Sequence, residues 1–339
     1  MSFGVTIQAQ DVAFTQYYAA PLLLNPSLVG AASGKFRLTA INRDQWGNVL
    51  VEPFSTFGAS MDVRFNAGFG KSDNGDLIGA GISFFKDKVT GLDFSTTRMT
   101  FYGAYHKLLD RNTKQYLSGG LSIGINTQNV NYDALFFGDQ FNGTNGFDLP
   151  TGEDDNPIVN NITYSDIAVG FNYTISPSKD LSIHSGLAIH HVSEPSNTFY
   201  EDEEEPGESV VPRKITIHAS AIMRMEGDVS VIPRAIFTSQ GPHNNLILGS
   251  NLRLGIKNTA GTAIQLGLWV KPSFQSEGGV NLDAITLLTG LEFRSLILGL
   301  SYDLHVSDIN VAGNQRGSFE LSVTYTGEDE SEDVLCPAF

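Results

Sequence analysis

In LILGLSYDLHV, residues 296–306, apolar side chains alternate with mostly small or polar ones along the whole length. Successive side chains of a β-strand point to opposite faces, so this period of two predicts a strand with one apolar face. The apolar face carries Leu296, Leu298, Leu300, Tyr302, Leu304 and Val306. The opposite face carries Ile297, Gly299, Ser301, Asp303 and His305. A helix, with its period of 3.6 residues, does not produce this pattern.

The same alternation recurs along the chain and predicts fourteen strands. They are expected near 35–46, 53–65, 77–88, 96–108, 116–132, 163–175, 181–193, 212–225, 228–240, 244–257, 262–272, 284–294, 295–307 and 315–325. Strands of roughly 10 to 14 residues match tilted strands that cross a membrane, and an even number closes an antiparallel barrel without an exposed edge. No apolar run is long enough for a membrane-spanning helix. We therefore predict an all-β fold, a transmembrane antiparallel β-barrel of about fourteen strands.

The connections between these strands indicate how the barrel is oriented and divided. The two longest, 133–162 and 194–211, fall at the same end of the barrel, which is the pattern of outer loops in outer-membrane barrels. Residues 1–10 resemble the remnant of a signal peptide, with a short soluble N-terminus as the alternative. We expect residues 11–34 to lie in the lumen or at its mouth, 35–325 to form the barrel, and 326–339 to be an acidic periplasmic tail.

The formal net charge of -16 is concentrated in three segments. Eighteen of the 37 acidic residues lie in 133–162, 194–211 and 326–339, and none of these segments contains Lys or Arg. The remaining chain is close to neutral. Nucleic acid is excluded as a partner, because binding phosphate backbones requires a basic surface. The lipid bilayer is the partner that the alternating strands predict.

Candidate catalytic and metal-binding residues are few. His190 and His191 lie near a strand end beside Ser193 and Glu194, but the odd separation of His190 and Ser193 places them on opposite faces. Serine hydrolase, zinc-protease and P-loop motifs are absent from the sequence. The acidic runs lack the spacing of a calcium loop, so solvated charge or loose binding of divalent ions is expected. We therefore expect no enzyme activity and no cofactor, and the single cysteine, Cys336, forms no intrachain disulfide.

Charged residues on the inner face of the predicted strands are expected to form ion pairs. The basic members are Arg37, Arg43, Arg64, Lys214, Arg224, Arg234, Arg253 and Arg294. The acidic members are Asp62, Asp166, Glu292, Asp303 and Glu320. Mixed charge inside a barrel either lines a channel or forms a network that closes it. The sequence leaves both possibilities open, and we favour residues 11–34 as a plug.

Several short motifs resemble the PorP/SprF family of type IX secretion proteins. Residues 16–30, QYYAAPLLLNPSLVG, fit the Q-Y and L-L-N-P-x-x-x-G pattern at the start of its mature chains. RDQW at 43–46, FGDQ at 137–140 and GLAIHHVSEP at 186–195 follow in order, and CPAF at 336–339 closes the chain. The match runs from about residue 11 to 339. The acidic 194–211 segment departs from the family, as does Ala338, where the family often has a basic residue.

The resemblance implies an outer-membrane component of the type IX secretion system. Its expected partners are the C-terminal signal domain (type B) of a large secreted adhesin and other parts of the secretion machinery, with a link to gliding motility. The motif and partner-contact candidates are Gln16, Tyr17, Asn25, Pro26, Gln45, Trp46, Gly138, Asp139, Gln140, His190, His191, Glu201, Asp202, Glu203, Glu204, Glu205, Cys336, Pro337 and Phe339. The alternative is a porin-like diffusion channel for small solutes.

Overall fold

Fourteen β-strands form a closed barrel in a computed structural model of the chain. The structure describes residues 11, 13–45, 54–67, 75–89, 94–131, 143–144, 146, 159–199, 210–257, 259, 261–274, 279–306 and 317–327. The strands are β1 (Phe36–Gln45), β2 (Phe54–Asn66), β3 (Leu77–Val89), β4 (Phe94–Asp110), β5 (Gln115–Asn129), β6 (Asn161–Ser178), β7 (Leu181–His190), β8 (Lys214–Met225), β9 (Val229–Gln240), β10 (His243–Gly255), β11 (Thr262–Phe274), β12 (Val280–Phe293), β13 (Leu296–His305) and β14 (Gly317–Thr326). The prediction of a fourteen-stranded antiparallel barrel is therefore confirmed.

Each strand pairs antiparallel with its neighbours in sequence, and β1 pairs with β14 to close the barrel. At this seam Leu38 lies opposite Tyr325, and Arg43 lies opposite Glu320. The observed strand ends lie within four residues of the predicted ones. A closed barrel satisfies the backbone hydrogen bonds of all its strands, which is the condition for crossing a lipid layer with β-structure.

The two faces of the barrel wall have the burial pattern of a membrane protein rather than that of a soluble one. On β5, Leu121, Ile123 and Ile125 point outward and are exposed, Ile125 by 58%. Ser122 and Asn126 point inward and are buried, Asn126 completely. A polar inner face and an apolar outer face follow from the same two-residue period when lipid replaces water outside.

The two ends of the barrel differ in their connections. We call the end where β1 begins and β14 ends the terminal rim, and the opposite end the loop rim. The connections between β5 and β6 and between β7 and β8 lie at the loop rim and are the longest between described strands. Among the described residues, no helix has the length and apolar character needed to span a membrane. The predicted remnant at 1–10 and nearly all of the predicted tail at 326–339 lie outside the described residues.

The apolar core lies inside the barrel and is built around residues before β1. These residues contain two 3₁₀ turns, Tyr17–Ala19 and Pro26–Leu28, and one short helix, α1 (Pro21–Leu24). The largest apolar cluster joins this segment to β9, β10, β11 and β12. Its members are Tyr17, Leu24, Leu28, Ala31, Ile236, Ile247, Trp269 and Leu288. The wall therefore encloses packed side chains rather than an empty lumen.

The cost of a charge on the lipid-facing surface is expected to depend on its depth in the membrane. Leu121 lies near the middle of β5, whereas Leu109 lies at the terminal-rim end of β4, and both are exposed outward. We expect Leu121→Arg to lower the free energy of unfolding by about 2–4 kcal/mol and Leu109→Arg by about 0–1 kcal/mol, because charge costs most at the bilayer midplane. Urea unfolding in lipid vesicles measures both, and equal costs would contradict a membrane around this face.

Candidate functional site

Residues 11–34, which we call the lumenal segment, cross the inside of the barrel from the loop rim to the terminal rim. At the loop rim, the backbone N–H of Asp11 donates to Oε1 of Gln240, the last residue of β9, at 2.9 Å. At the terminal rim, Nη1 of Arg64 donates to the carbonyl oxygen of Ala32 at 2.8 Å. The segment thus spans the barrel from end to end before β1 begins, and residue 12 alone is outside its described part.

A buried ion pair anchors the segment near the terminal rim. Nε of Arg37 lies 2.9 Å from Oδ1 of Asp62, and both side chains are almost fully buried. Oδ2 of Asp62 accepts the backbone N–H of Gly30 at 2.7 Å, and Nη2 of Arg37 donates to the carbonyl oxygen of Leu28 at 3.0 Å. A buried ion pair is stable only when its remaining polar groups are also hydrogen-bonded. Here the lumenal segment supplies those hydrogen bonds.

Asn25 and Pro26, from the N-P motif, start the second 3₁₀ turn and attach it to the wall. Oδ1 of Asn25 accepts the backbone N–H of Ser27 at 2.9 Å, which is an N-cap, and Pro26 takes the first position of the turn. Nδ2 of Asn25 donates to the carbonyl oxygen of Phe171 at 3.0 Å and lies 3.1 Å from Nε2 of His218. One side chain therefore shapes the turn and links it to β6 and β8.

Glycines on the inner wall let the segment approach the strand backbone. A Cβ atom at Gly170 would lie 1.9 Å from Oδ1 of Asn25. A Cβ atom at Gly79 would lie 2.1 Å from the carbonyl oxygen of Val29. Such distances are far below van der Waals contact, so only glycine fits while the segment is seated. Glycine in these strands is required by the close packing of the lumenal segment.

Glu320 holds the part of the segment that lies toward the loop rim. Its two carboxylate oxygens accept the backbone N–H groups of Thr15, at 2.8 Å, and Gln16, at 2.9 Å. The Gln16 side chain donates to Oγ of Ser301 at 3.0 Å and accepts from Oγ of Ser322 at 2.8 Å. The amide group of Gln16 is thus hydrogen-bonded to both β13 and β14.

Asp303 forms a second charged centre beside Glu320. Nζ of Lys271 lies 2.6 Å from its Oδ2, and the hydroxyls of Thr286 and Ser318 donate to the same carboxylate at 2.5 and 2.6 Å. The hydroxyl of Thr15 also donates to it, at 3.1 Å. Hydrogen bonds from this many donors offset the cost of burying the carboxylate.

An aromatic cluster supports the middle of the segment. Tyr18 stacks on Trp269 at a centroid distance of 5.9 Å, and Tyr17 meets the same ring edge-on at 5.8 Å. The guanidinium of Arg234 lies 4.1 Å from the centroid of Tyr18, a cation–π contact. Nε1 of Trp269 donates to Oδ1 of Asn251 at 3.0 Å. The cluster ties the first 3₁₀ turn to β9, β10 and β11.

Asp11 and His191 form an ionic cluster at the loop rim. Asp11 contacts Lys214 at 2.6 Å, His191 at 3.0 Å and Arg98 at 3.2 Å. Burial opposes ionisation of Asp11, yet the positive charges of Lys214, Arg98 and His191 hold the pKa of its carboxyl well below the usual range. Burial also disfavours the imidazolium of His191, but Asp11 and Asp166 outweigh it and raise its pKa. Nδ1 of His191 lies 2.9 Å from Asp166, a contact of charge rather than a well-aligned hydrogen bond.

The structure places the candidate residues in three groups. Gln16, Tyr17, Asn25 and Pro26 are buried in the lumen, where they contact the wall and present no surface to a partner. His190 and His191 are buried at the loop-rim end of β7, and Gln45 ends β1 at the same rim. The remaining candidates lie outside the described residues: Trp46, Gly138, Asp139, Gln140, Glu201, Asp202, Glu203, Glu204, Glu205, Cys336, Pro337 and Phe339. Within the described part, no cluster of His, Cys, Asp or Glu is arranged to hold a metal ion.

The expected ion pairs inside the barrel are confirmed in part. Arg37 pairs with Asp62, Arg43 with Glu320, and Arg253 with Glu292 at 2.6 Å. Other members of the predicted set have different environments: Lys214 pairs with Asp11, and Arg234 lies over Tyr18. Arg294 was expected to face inward and does not, because it lies in the turn between β12 and β13 and is exposed.

Three residues that hold the lumenal segment are not predicted by the sequence analysis. They are Asp11 and Lys271, toward the loop rim, and Trp269, beside the middle of the segment. An acid at the start of an otherwise apolar segment was a usable signal for Asp11. Trp269 occupies an inward position of a strand where most neighbours are small or polar, and this contrast was a signal for a packing partner in the lumen.

A closed antiparallel barrel with an apolar outer face and a polar inner face defines an integral protein of the bacterial outer membrane. Solved structures share this fold. A TodX deltaS2S3 mutant, a monoaromatic hydrocarbon channel, is 8% identical with a TM-score of 0.52, and the match covers 90% of this chain and 93% of that one. The P. putida toluene transporter TodX is 8% identical with a TM-score of 0.50, covering 92% and 95%. At this identity the likeness concerns the fold alone.

The family model described as "Type IX secretion system membrane protein PorP/SprF" matches residues 6–325. The chain therefore belongs to the PorP/SprF family, and the protein is a membrane component of the type IX secretion system. Among curated proteins, none matches the chain. The resemblance carried by the short motifs is confirmed over nearly the whole length.

The close approach at Gly170 yields a test of docking. We expect Gly170→Ala to destabilise the seated segment by about 1–3 kcal/mol, because the added methyl group collides with Asn25. Unfolding in detergent and protease sensitivity of residues 11–34 measure the effect. Gly103→Ala is the matched control, since a Cβ atom there meets nothing within 4 Å. Equal behaviour of the two variants would argue against tight seating.

The raised pKa of His191 predicts a pH dependence. An unfolded histidine titrates near 6.5, and the folded pKa lies above this value, so the stabilisation is complete below about 6.5 and is lost as pH rises through the folded pKa. Asp11 stays ionised across this range because its pKa is lowered. We expect His191→Asn to remove this loss in pH-dependent unfolding curves. His243→Asn is the control, as His243 lies at the same rim without a described ion pair. A wild-type profile in His191→Asn would contradict the assignment.

Proposed function

We propose that this protein binds the C-terminal signal domain of a large secreted adhesin and partners its secretion and anchoring at the cell surface. Beyond family membership, one observation supports the proposal: the lumenal segment is hydrogen-bonded to the wall near the loop rim, in the middle and near the terminal rim. A barrel filled in this way offers no conduit for a polypeptide. Its contribution to secretion is therefore a binding role performed at the rims.

The anchors of the lumenal segment argue against a loosely held gate. Thr15, Gln16 and Asn25 are fully buried, and each uses its side chain in hydrogen bonds to the wall. The described cavities beside the segment are small, of about 100 Å³ toward the loop rim and about 160 Å³ toward the terminal rim. These features support a partner role over a diffusion channel for solutes.

The orientation that fits this role places the loop rim outside the cell. Outer-membrane barrels carry long loops outside and short turns in the periplasm, and the two longest connections between described strands share the loop rim. The base of the second connection is ordered: Ser196 bridges to Val210, and the N–H of Val211 donates to the carbonyl oxygen of Pro195 at 2.9 Å. The acidic residues 201–205 belong to this connection in the sequence, outside the described residues, and we assign them to the partner.

Secretion is tested by deleting the gene and profiling the cell surface. We expect one large surface protein to be lost, with its gliding function where the organism glides, and to return on complementation. Normal display of every surface protein together with a defect in uptake of a nutrient would overturn the secretion role in favour of the diffusion channel. Mass spectrometry of proteins that co-purify with the barrel identifies the cargo and the secretion components that accompany it.

The partner surface is tested by neutralising the acids of 198–209 to Ser. We expect weaker capture of the adhesin domain and a loss of salt sensitivity, because interactions between exposed charges are screened by salt. The control replaces the five acids of 326–339 with Ser, which removes similar charge from the other rim. An unchanged yield of complex across salt concentrations in the 198–209 variant would remove this surface from the proposal.

A further inference from the structure

Two lysines face outward on β3 where the side chains of the lipid-facing surface change from apolar to hydrogen-bonding. Going toward the loop rim along β3, the outward residues are Phe84, Lys86 and Lys88, and all three are exposed. The outward residues in register on β4 and β5, which form rows with those of β3, change from apolar to polar at the same level. Phe84 is in register with Met99 on β4, and Met99 with Ile125 on β5.

The next two rows toward the loop rim carry only hydrogen-bonding side chains on β3, β4 and β5. Lys86 is in register with Thr97, which pairs with Thr127. Lys88 is in register with Ser95, which pairs with Asn129. The change from apolar to hydrogen-bonding groups within one row marks where the hydrocarbon layer ends and the headgroups begin.

A polar cleft of about 400 Å³ lies at this boundary. Polar groups on four strands or their ends line it: Lys86, Lys88, Ser95, Asn129, Asn131 and Asn160. Its lining combines ammonium groups with hydroxyl and amide donors. This donor set suits the several acceptor oxygens of a phosphate group.

These lysines are unusual in the wall. Within the described strands, no other outward position near the loop rim carries Lys or Arg, and the remaining basic residues of that half, such as Arg43, Arg98 and Lys271, face the lumen. The only other outward lysine on a described strand, Lys107, lies near the terminal rim and pairs with Asp76 at 2.8 Å. Among the described strands, outward positive charge near the loop rim is thus limited to Lys86 and Lys88, in a protein with net charge -16.

We propose that Lys86 and Lys88 form a binding site for the phosphate groups of a glycolipid headgroup in the outer leaflet. The proposal rests on the orientation given above, with the loop rim outside. A side chain that faces outward at the edge of the hydrocarbon layer meets lipid headgroups before any other partner, and charge complementarity selects those bearing phosphate. Phe84, one outward row nearer the terminal rim, faces the acyl chains below the site, and Phe57 lies beside Lys86 on β2.

Native mass spectrometry of the full-length barrel in mild detergent, titrated with purified lipopolysaccharide, tests the site. We expect Lys86→Gln/Lys88→Gln to bind roughly thirtyfold more weakly, because each lysine near an anionic headgroup contributes a factor of about five to the affinity. Lys86→Arg/Lys88→Arg keeps the binding, and Lys107→Gln is the matched control that leaves it unchanged. Wild-type affinity in the double Gln variant overturns the proposal.

A second titration with phosphatidylethanolamine distinguishes the leaflets. Weak binding that is insensitive to the double Gln substitution supports the outer-leaflet source, whereas equal, lysine-dependent binding of both lipids overturns it. The measurement uses no cargo, so its failure is distinguishable from failure of the secretion role. Cells in which the double Gln variant replaces the wild-type protein report cargo display separately.

Discussion

Hydrogen bonds between the lumenal segment and the inner wall hold the interior of the barrel together. The inner face carries charges and amides that would be costly to leave unpaired away from bulk water. Glu320 and Asp62 each accept backbone N–H groups of the segment while also facing a basic side chain of β1. The segment therefore completes the polar network of the wall, and the wall completes the hydrogen bonds of an irregular chain that has few of its own.

This arrangement explains where partners can act. The outer wall meets lipid, and the lumen is occupied by residues 11–34, so both ends of the barrel remain for other proteins. The distribution of charge agrees with this division, since the interior pairs Arg37 with Asp62 and Arg253 with Glu292. Eighteen of the 37 acidic residues lie in the two longest connections and in the tail, segments that contain no Lys or Arg. A secretion component that acts through its rims fits a chain whose family is defined by its place in the type IX system.

Much of the fold was predictable from the sequence, because side-chain alternation is a local property that lipid outside and polar groups inside impose on every strand. The partners of individual charges were less predictable, since they depend on strand register and on a segment that is remote in sequence. Arg43 and Glu320 face each other only because β1 and β14 close the barrel. Lys214 pairs with Asp11 rather than with an acid of the predicted set, and the position of Asp11 follows from the whole path of the lumenal segment. The motif residue Asn25 was recognisable, but its role as a turn cap fixed to β6 required the three-dimensional structure.

The docking of Thr15 on Glu320 constrains the order of assembly. These residues are 305 positions apart, and Glu320 lies on the last strand, so their hydrogen bond forms only after nearly the whole barrel has been synthesised. Until β14 is in place, the backbone N–H groups of Thr15 and Gln16 lack the carboxylate that accepts them. Full seating of the segment is therefore a late step in folding, because it depends on contacts of very high sequence separation, which form slowly.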